Sequence, residues 1–522
     1  MTRVLHWTTR GLALLLAAVA VVALVAPRNT WFVLPAVTVW VVTAAVVLLP
    51  LAGRRARSRV AEAVARRPAA AVGRGTAVAG LVVVAHLPLA LIDFGWDARQ
   101  VYWGAELLAA DEELAGSRVE YFAKYPNNIP LLAMLSAAAK VGSWAGLSPL
   151  AGMLVAQTVG LLVVVWCLGS TLVRLDRPGA VWPVQALATV LLGLNPQVAI
   201  PYADLPTATF VAVALWAGAR AWRGGGRGWW ALAAVGLVLA VSLKPYAVAL
   251  ALGALALVPG LAARRGRLAA TVTVAGAAAA LAVGVLAVHA VSARVTGLPE
   301  ERLVQVQHPY PVEHFLAMGT YDSQDPSPTR VYGGWNWEHA SAMKHERDQQ
   351  VRREISRDKI VAQVSERGVL GNLAFVAQKV AWTWGDGTFW AHGEGQDAAR
   401  PGLLPGALGQ VQQWFVGSGE PYRQHTAGVL QGVWVATLLL TAAGLWRAPA
   451  SPWVATCALT LVVLTAYLGV FETRPRYLVA LLPVLLVLAG LTAGRACCAE
   501  SGQYATRLGP ERKTVGADGP AR

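Results

Sequence analysis

Apolar runs punctuated by polar clusters recur along the chain, at 11–26, 31–52, 74–92, 149–173, 180–200, 205–222, 229–243, 246–261, 268–291, 426–446, 451–471 and 477–494. About 20 predominantly apolar residues suffice to cross the hydrocarbon core, so each run predicts a membrane-spanning helix. The first run carries Arg3 and Arg10 ahead of it and small residues near Ala26, as a signal peptide would. A second run begins at Trp31 with almost no spacer, which favours a retained anchor. A thirteenth stretch, Ile129 to Val141, is shorter, opens with Pro130 and holds Lys140. Runs of that length are more often interfacial than spanning, so it predicts a juxtamembrane helix.

The polar pattern supports that choice. Arg54, Arg55, Arg57, Arg59, Arg66 and Arg67 follow the second span, and Arg174 with Arg177, Arg220 with Arg223 and Arg227, and Arg264, Arg265 and Arg267 follow alternate later ones. With twelve crossings, all these clusters lie on the side of the N-terminus, as the positive-inside rule requires of a cytoplasmic face. The chain then divides into an N-terminal pair of spans with a basic loop (1–73), a core (74–291) with a first external loop at 93–148, an external segment at 292–425, three C-terminal spans (426–494), and a polar, disordered tail (495–522). The external segment predicts a charge-dense helix over Glu338 to Arg367, then an amphipathic one over Leu370 to Trp382 before a glycine-rich turn. The expected fold is an all-α polytopic membrane protein of about twelve transmembrane helices, with juxtamembrane helices in the first external loop.

Composition agrees. Of 522 residues, 56% are hydrophobic and 14% charged, and mean hydropathy is +0.49. Soluble domains carry about 25% charged residues, so a water-soluble enzyme is excluded. The net charge of +15 would otherwise suggest nucleic acid, but its distribution removes that partner. Cytoplasmic loops and ends hold 23 Lys and Arg against 5 Asp and Glu, leaving 21 against 24 elsewhere. The four cysteines lie within spans or at the cytoplasmic end, so none frames an external disulfide. No zinc-type spacing, phosphate-binding glycine loop or nucleophile elbow occurs, which argues against ATP-driven transport.

Candidate chemistry gathers where spans meet the outer face. Asp93-Phe94-Gly95-Trp96-Asp97 follows the third span, and Trp96, Tyr102 and Trp103 would shield a carboxylate there and suit it to act as a general base. Tyr202-Ala203-Asp204 joins two spans, Lys244 interrupts an apolar run at a Lys-Pro pair, and Arg474 and Arg476 precede the last span on the side where basic residues are disfavoured. Singly, these are a polar cap, a turn, a snorkelling lysine and interface anchors. Together they form a cationic cluster beside carboxylates, suited to an anionic lipid headgroup. The aromatics Trp335, Trp337, Trp382, Trp384, Trp390 and Trp414 invite a sugar-stacking role but are explained more simply as interface anchors and core.

These features, with Tyr125-Pro126-Asn127-Asn128-Ile129-Pro130, Leu243-Lys244-Pro245 and Arg474-Pro475-Arg476-Tyr477, resemble the GT-C superfamily of membrane glycosyltransferases. The nearest group is the family-39-like enzymes, relatives of protein mannosyltransferases and aminoarabinose transferases. Met318-Gly319, Gly333-Gly334 and Trp384-Gly385-Asp386-Gly387-Thr388-Phe389 resemble a Gram-positive branch, and the likeness runs over roughly 75–490. It implies transfer of a sugar from a polyprenyl-phosphate donor to an extracytoplasmic acceptor: a cell-wall glycan, a lipid or a protein. It places the catalytic acid at Asp97 with Tyr102 nearby, a second acidic position at Asp204, and donor-phosphate contacts at Lys244, Arg474 and Arg476. Tyr102, Tyr125, Asn127, Tyr202, Trp384 and Asp386 become candidate substrate contacts. The family often has a second acidic residue after the first, and Ala98 stands there. The base is therefore Asp97 or Asp93, and a divalent metal is left open, with no other cofactor implied. Composition fits a high-GC bacterium, hence a plasma-membrane setting with both termini cytoplasmic. A lipid-linked sugar flippase or secondary transporter, and a non-catalytic envelope assembly protein, are the rival readings.

Overall fold

The computed structural model describes residues 2–27, 33–52, 54–326, 330–344, 346–393, 395–399, 404–416, 421–449 and 451–493. The tail expected to be disordered, from Arg495, lies outside them. Every predicted span is a helix, and the protein is an all-α polytopic membrane protein. Among the described residues, eight helices are long and apolar enough, by length and composition, to cross a membrane. Ala36–Leu49, Pro178–Gly193 and Arg227–Leu243 are shorter apolar helices, and Asp204–Trp222 carries a carboxylate at its start and Arg220 in its last turn. The run at 180–200 breaks after Gly193 and resumes as a short 3₁₀ turn, Pro196–Ala199. Pro196 disfavours helix at Asn195, whose side chain instead accepts from the Gln197 N–H at 3.0 Å.

Burial sorts the spans. Pro475–Thr492 is the most enclosed, with 89% of its apolar window buried, whereas none of the window of Arg267–Val295 is buried. A helix apolar all round with no buried face is one that meets lipid on every free side. The N-terminal helix packs Leu12, Leu16 and Ala20 into the core, against Pro421–Arg447 and Pro452–Val470. The basic loop after the second span is itself a helix, Arg54–Arg66. Ile129–Trp144 packs between Trp96–Ala109 and Pro149–Arg174.

The large segment at 292–425 is mainly helical: Glu300–Val306, Val312–Gly319, Trp337–Lys344 and the long Gln349–Gly385. The expected charge-dense helix is interrupted before Asp348, which caps the long helix by accepting from the Gln350 N–H at 2.7 Å. Gly368 (φ 60°, ψ −176°) breaks the helical path where the charged stretch gives way to the amphipathic one. Beyond it Val369, Leu370 and Leu373 face outward, while Phe375, Lys379, Trp382 and Thr383 are buried. One feature had no sequence signal: β1 (Ile92–Phe94) pairs antiparallel with β2 (Gly395–Ala399), tying the first loop to the large segment.

Candidate functional site

Four separate stretches end at one place. Asp97 lies in the first turn of Trp96–Ala109, Tyr202 and Asp204 enter Asp204–Trp222, Lys244 ends Arg227–Leu243, and Glu472, Arg474 and Arg476 occupy the turn before the last helix. Local chemistry fixes each one. Pro245 cannot continue the helix, so Lys244 is extended (φ −141°, ψ 106°). Pro475 likewise starts a new turn after an extended Arg474.

Asp204 is the inner anchor. Lys244 Nζ lies 3.5 Å from its Oδ1, Arg476 Nε lies 4.0 Å from its Oδ2, and the Tyr246 hydroxyl donates to Oδ1 at 3.3 Å. Asp204, Lys244 and Arg476 are all buried. Arg476 also reaches toward Asp97, with Nη2 4.0 Å from Oδ2, so one guanidinium bridges both carboxylates. The Asp97 side chain is 36% exposed against 3% for Asp204, which makes Asp97 the carboxylate that an incoming molecule can reach. Tyr202 donates to Asp97 Oδ2 at 3.3 Å, and its ring is faced by Lys244 at 4.6 Å and Arg476 at 4.7 Å. Tyr477 lies against the same two cations, at 5.2 and 5.7 Å. Cations over aromatic faces keep some stabilisation where water is excluded. Burial and the Asp97 charge raise the Tyr202 and Tyr121 phenols, which keeps both as donors.

Arg474 closes the cluster on its outer side. Its guanidinium lies 5.9 Å from the Trp96 ring and 5.7 Å from the Trp390 ring, and its Nε is 4.0 Å from Glu472 Oε1. Trp96 (φ 50°), Phe389 (φ 52°) and Trp390 (φ 60°) all adopt the left-handed backbone region. Bulky residues there cost about 1–3 kcal/mol each, and such strain concentrates at functional sites. Trp96 Nε1 donates to Gly393 O at 3.1 Å, and Trp335 and Trp337 continue the aromatic row outward.

The structure separates the two acidic candidates of the first loop. Asp93 Oδ2 takes a 2.9 Å bond from Arg99, which also binds Phe94 O. Asp97 is the one at the cluster. Tyr125 lies near Asp97, Glu472 and Arg474 and packs on Tyr121 and Tyr310. Tyr102 does not join them. Five residues along a helix turn it about 140° from Asp97, and its hydroxyl donates to Glu106 at 3.1 Å inside an apolar cluster. Asn127 contacts Asn128 at 3.4 Å, and it is Asn128 that donates to the Tyr121 hydroxyl at 2.7 Å.

The structure places Trp384 and Asp386, two of the candidate substrate contacts, in a buried turn. Trp384 is 1% exposed and stacks on Trp434. Asp386 accepts from the Thr388 N–H (2.8 Å), the Thr388 hydroxyl (2.6 Å) and the Trp390 N–H (3.0 Å). The glycine-rich turn is buried and satisfied by amide side chains: Asn195 to Thr388 O, Gln197 to Phe389 O, and Gln431 to both Gly385 O and Gly387 N. Irregular backbone within a membrane protein requires such partners. The turn's part at the site is to deliver Trp390 to Arg474.

Sequence reasoning missed Glu472, Tyr121, Tyr246 and Lys379, and read Trp390 as an interface anchor or core residue. Lys379 is fully buried and donates to Gly319 O (2.7 Å), Gly469 O (3.2 Å) and Phe471 O (2.7 Å), holding the turn that carries Glu472 and Arg474. A Cβ at Gly333 (φ 70°) would meet Lys379 Cε at 2.2 Å, and one at Gly319 would meet Val470 O at 2.2 Å, so both glycines permit this contact. Only the Gly319 and Gly333-Gly334 pairs signalled it in the sequence.

A divalent metal does not fit this donor set. Asp97 and Asp204 share Arg476, and Asp204 also faces Lys244, so a metal would sit against two cations. Among the described residues, no group of three or more His, Cys, Asp or Glu side chains is placed to hold a metal ion.

Comparison with known proteins agrees with the fold and is silent on the chemistry. No curated protein and no solved structure matches the chain. A family described as conserved hypothetical integral membrane protein matches residues 25–497, nearly the whole length. The chain belongs to that family of integral membrane proteins.

Proposed function

We propose that the cluster is the active site of a glycosyltransferase that moves a sugar from a polyprenyl-phosphate donor to an extracytoplasmic acceptor in a bacterial plasma membrane. The observation that carries this is the meeting of Asp97, Asp204, Lys244 and Arg476 from four distant stretches, with Arg474 alongside. Five buried or half-buried charges at helix ends are costly to assemble, and ionisable groups kept in a membrane protein at that cost are characteristically functional.

In the proposed reaction Asp97 removes the proton of an acceptor hydroxyl. The hydroxyl oxygen bonds to the anomeric carbon as the bond from that carbon to the phosphate oxygen breaks. The phosphate departs as an anion and needs no general acid. Lys244, Arg474 and Arg476 stabilise the charge that grows on it, where low dielectric makes such contacts worth most. Attack from the face opposite the leaving group inverts the anomeric centre. Asp204 holds Lys244 and Arg476 in place, and Tyr202 orients Asp97. A transporter would place its charges at the bilayer midplane; here they sit where helices end.

The test is transfer of label from polyprenyl-phosphate sugars to envelope material, using membranes with and without the chain. A product that needs the chain and is lost in Arg476→Ala supports the assignment. Unchanged labelling with a panel of donor sugars, alongside chain-dependent movement of the donor across the bilayer, would replace it with the flippase reading.

A further inference from the structure

One carboxylate of the cluster has no part in the transfer just described. Glu472 lies in the turn between Pro452–Val470 and Pro475–Thr492. Its backbone N–H donates to Phe315 O at 2.9 Å, and the Thr473 N–H donates to Gly333 O at 2.8 Å. Both ends of the turn are therefore fixed, and the side chain, 15% exposed, is held inward. Asp97 faces it from Trp96–Ala109, Lys244 from the end of Arg227–Leu243, and Arg474 and Arg476 from its own turn. Lys379 of the long external helix is also near, as are the phenols of Tyr125, Tyr467 and Tyr477.

Charge counting then makes a demand. Among the described residues the site sets Asp97, Asp204 and Glu472 against Lys244, Arg474 and Arg476. Those six described side chains balance one another. Lys379 is turned away, its amine spent on three carbonyls, and burial pulls it down to about 7. A lipid phosphodiester brings one further negative charge into a place poor in water, where unbalanced charge is strongly disfavoured. Asp204 is held by two cations, and Asp97 must stay ionised to act as a base. Glu472 has Arg474 as its near partner at 4.0 Å, longer than a hydrogen bond. Burial, with Asp97 beside it, already pushes its carboxyl up from the ordinary range.

We propose that Glu472 takes up a proton from water as the site binds a lipid phosphodiester, so that the donor enters together with a proton. The proton adds to a carboxylate oxygen, and the resulting neutral acid can donate to the anion where the carboxylate would repel it. On departure of the phosphate the proton returns to water. This rests on the phosphate-site reading above and adds a coupling to it.

The experiment uses the full chain in detergent and farnesyl methyl phosphodiester, which keeps one charge between roughly pH 5 and 9, so its own titration is silent. Titration calorimetry in buffers of different ionisation heat counts the protons taken up. Wild type is expected to take up close to one proton, with affinity falling by up to about tenfold per pH unit above the free-state pKa of Glu472. Infrared difference spectra should show the carbonyl band of a protonated carboxylic acid on binding, a readout that needs no variant. Glu472→Gln, a neutral isostere, should bind without proton uptake and with little pH dependence. Binding by wild type with no proton uptake overturns the coupling and leaves the phosphate site standing. Uptake that persists in Glu472→Gln and vanishes in Lys379→Met also overturns it. No binding by either protein at any pH overturns the phosphate site and the coupling together.

Discussion

Single residues here change meaning with their partners. Asp386 and Asp97 are both aspartates beside tryptophans, yet one is spent on three local hydrogen bonds and the other meets Tyr202 and Arg476 while staying partly exposed. Asp386→Ala is expected to lower stability by about 1–3 kcal/mol, because it strips three bonds from a buried turn. Thermal unfolding in detergent measures this. Stability equal to wild type would mean that the turn does not depend on the carboxylate. No local pattern distinguishes the two aspartates in the sequence, since the partners of Asp97 lie about 100 and about 380 residues away, and those of Asp386 lie in a turn whose burial only packing decides. Glu472 was hidden for a different reason: between two arginine-bearing positions and an apolar span it reads as an ordinary loop residue.

At the scale of elements, the segment at 292–425 is held by buried aromatic and imidazole side chains. His314 stacks on Tyr310 at 4.3 Å and on His339 at 5.1 Å, and its Nδ1 lies 3.3 Å from Met343 Sδ. Burial lowers His314 to about 3 and His339 to about 4, from an ordinary value of 6.5. The unfolded chain therefore binds protons that the folded chain refuses as pH falls below 6.5. Stability contributed by the pair is complete above 6.5 and declines as pH drops toward 4. The thermal midpoint should fall between pH 7 and 5 in wild type and fall less in the His314→Gln, His339→Gln double variant. Parallel pH profiles would contradict buried neutral imidazoles. The existence of these helices was legible from periodicity, and the kink at Gly368 fell where charge density changes. The β1–β2 pairing was not, because two short strands some 300 residues apart carry no pattern of their own.

For the whole molecule, the site itself fixes the parity of the crossings. Asp97, Asp204, Lys244 and Arg476 follow the third, fifth, seventh and eleventh predicted spans, and their contacts require one common face. Were Ile129–Trp144 to cross, Asp97 would be parted from the other three by the bilayer. That geometric argument is independent of the arginine clusters, yet it sends all of them to the opposite face. Expected, then, is that Glu112→Cys in a chain without other cysteines reacts with an impermeant maleimide on intact cells, while Ala63→Cys reacts only after permeabilisation. The reverse pattern would invert the proposed orientation. The fold was legible because a bilayer demands long apolar runs. The site was legible only in outline, because its specificity lies in contacts between loops.

We propose Asp97 as the base of the sugar transfer at this cluster. The most direct test compares Asp97→Asn with Asp93→Asn for transfer from the polyprenyl-phosphate donor in membranes holding equal amounts of folded protein. Asp97→Asn should lose about 10²–10⁴-fold of the rate, the usual worth of a positioned base, while Asp93→Asn, whose carboxylate serves Arg99, should keep most of it. Full activity in Asp97→Asn would contradict the account.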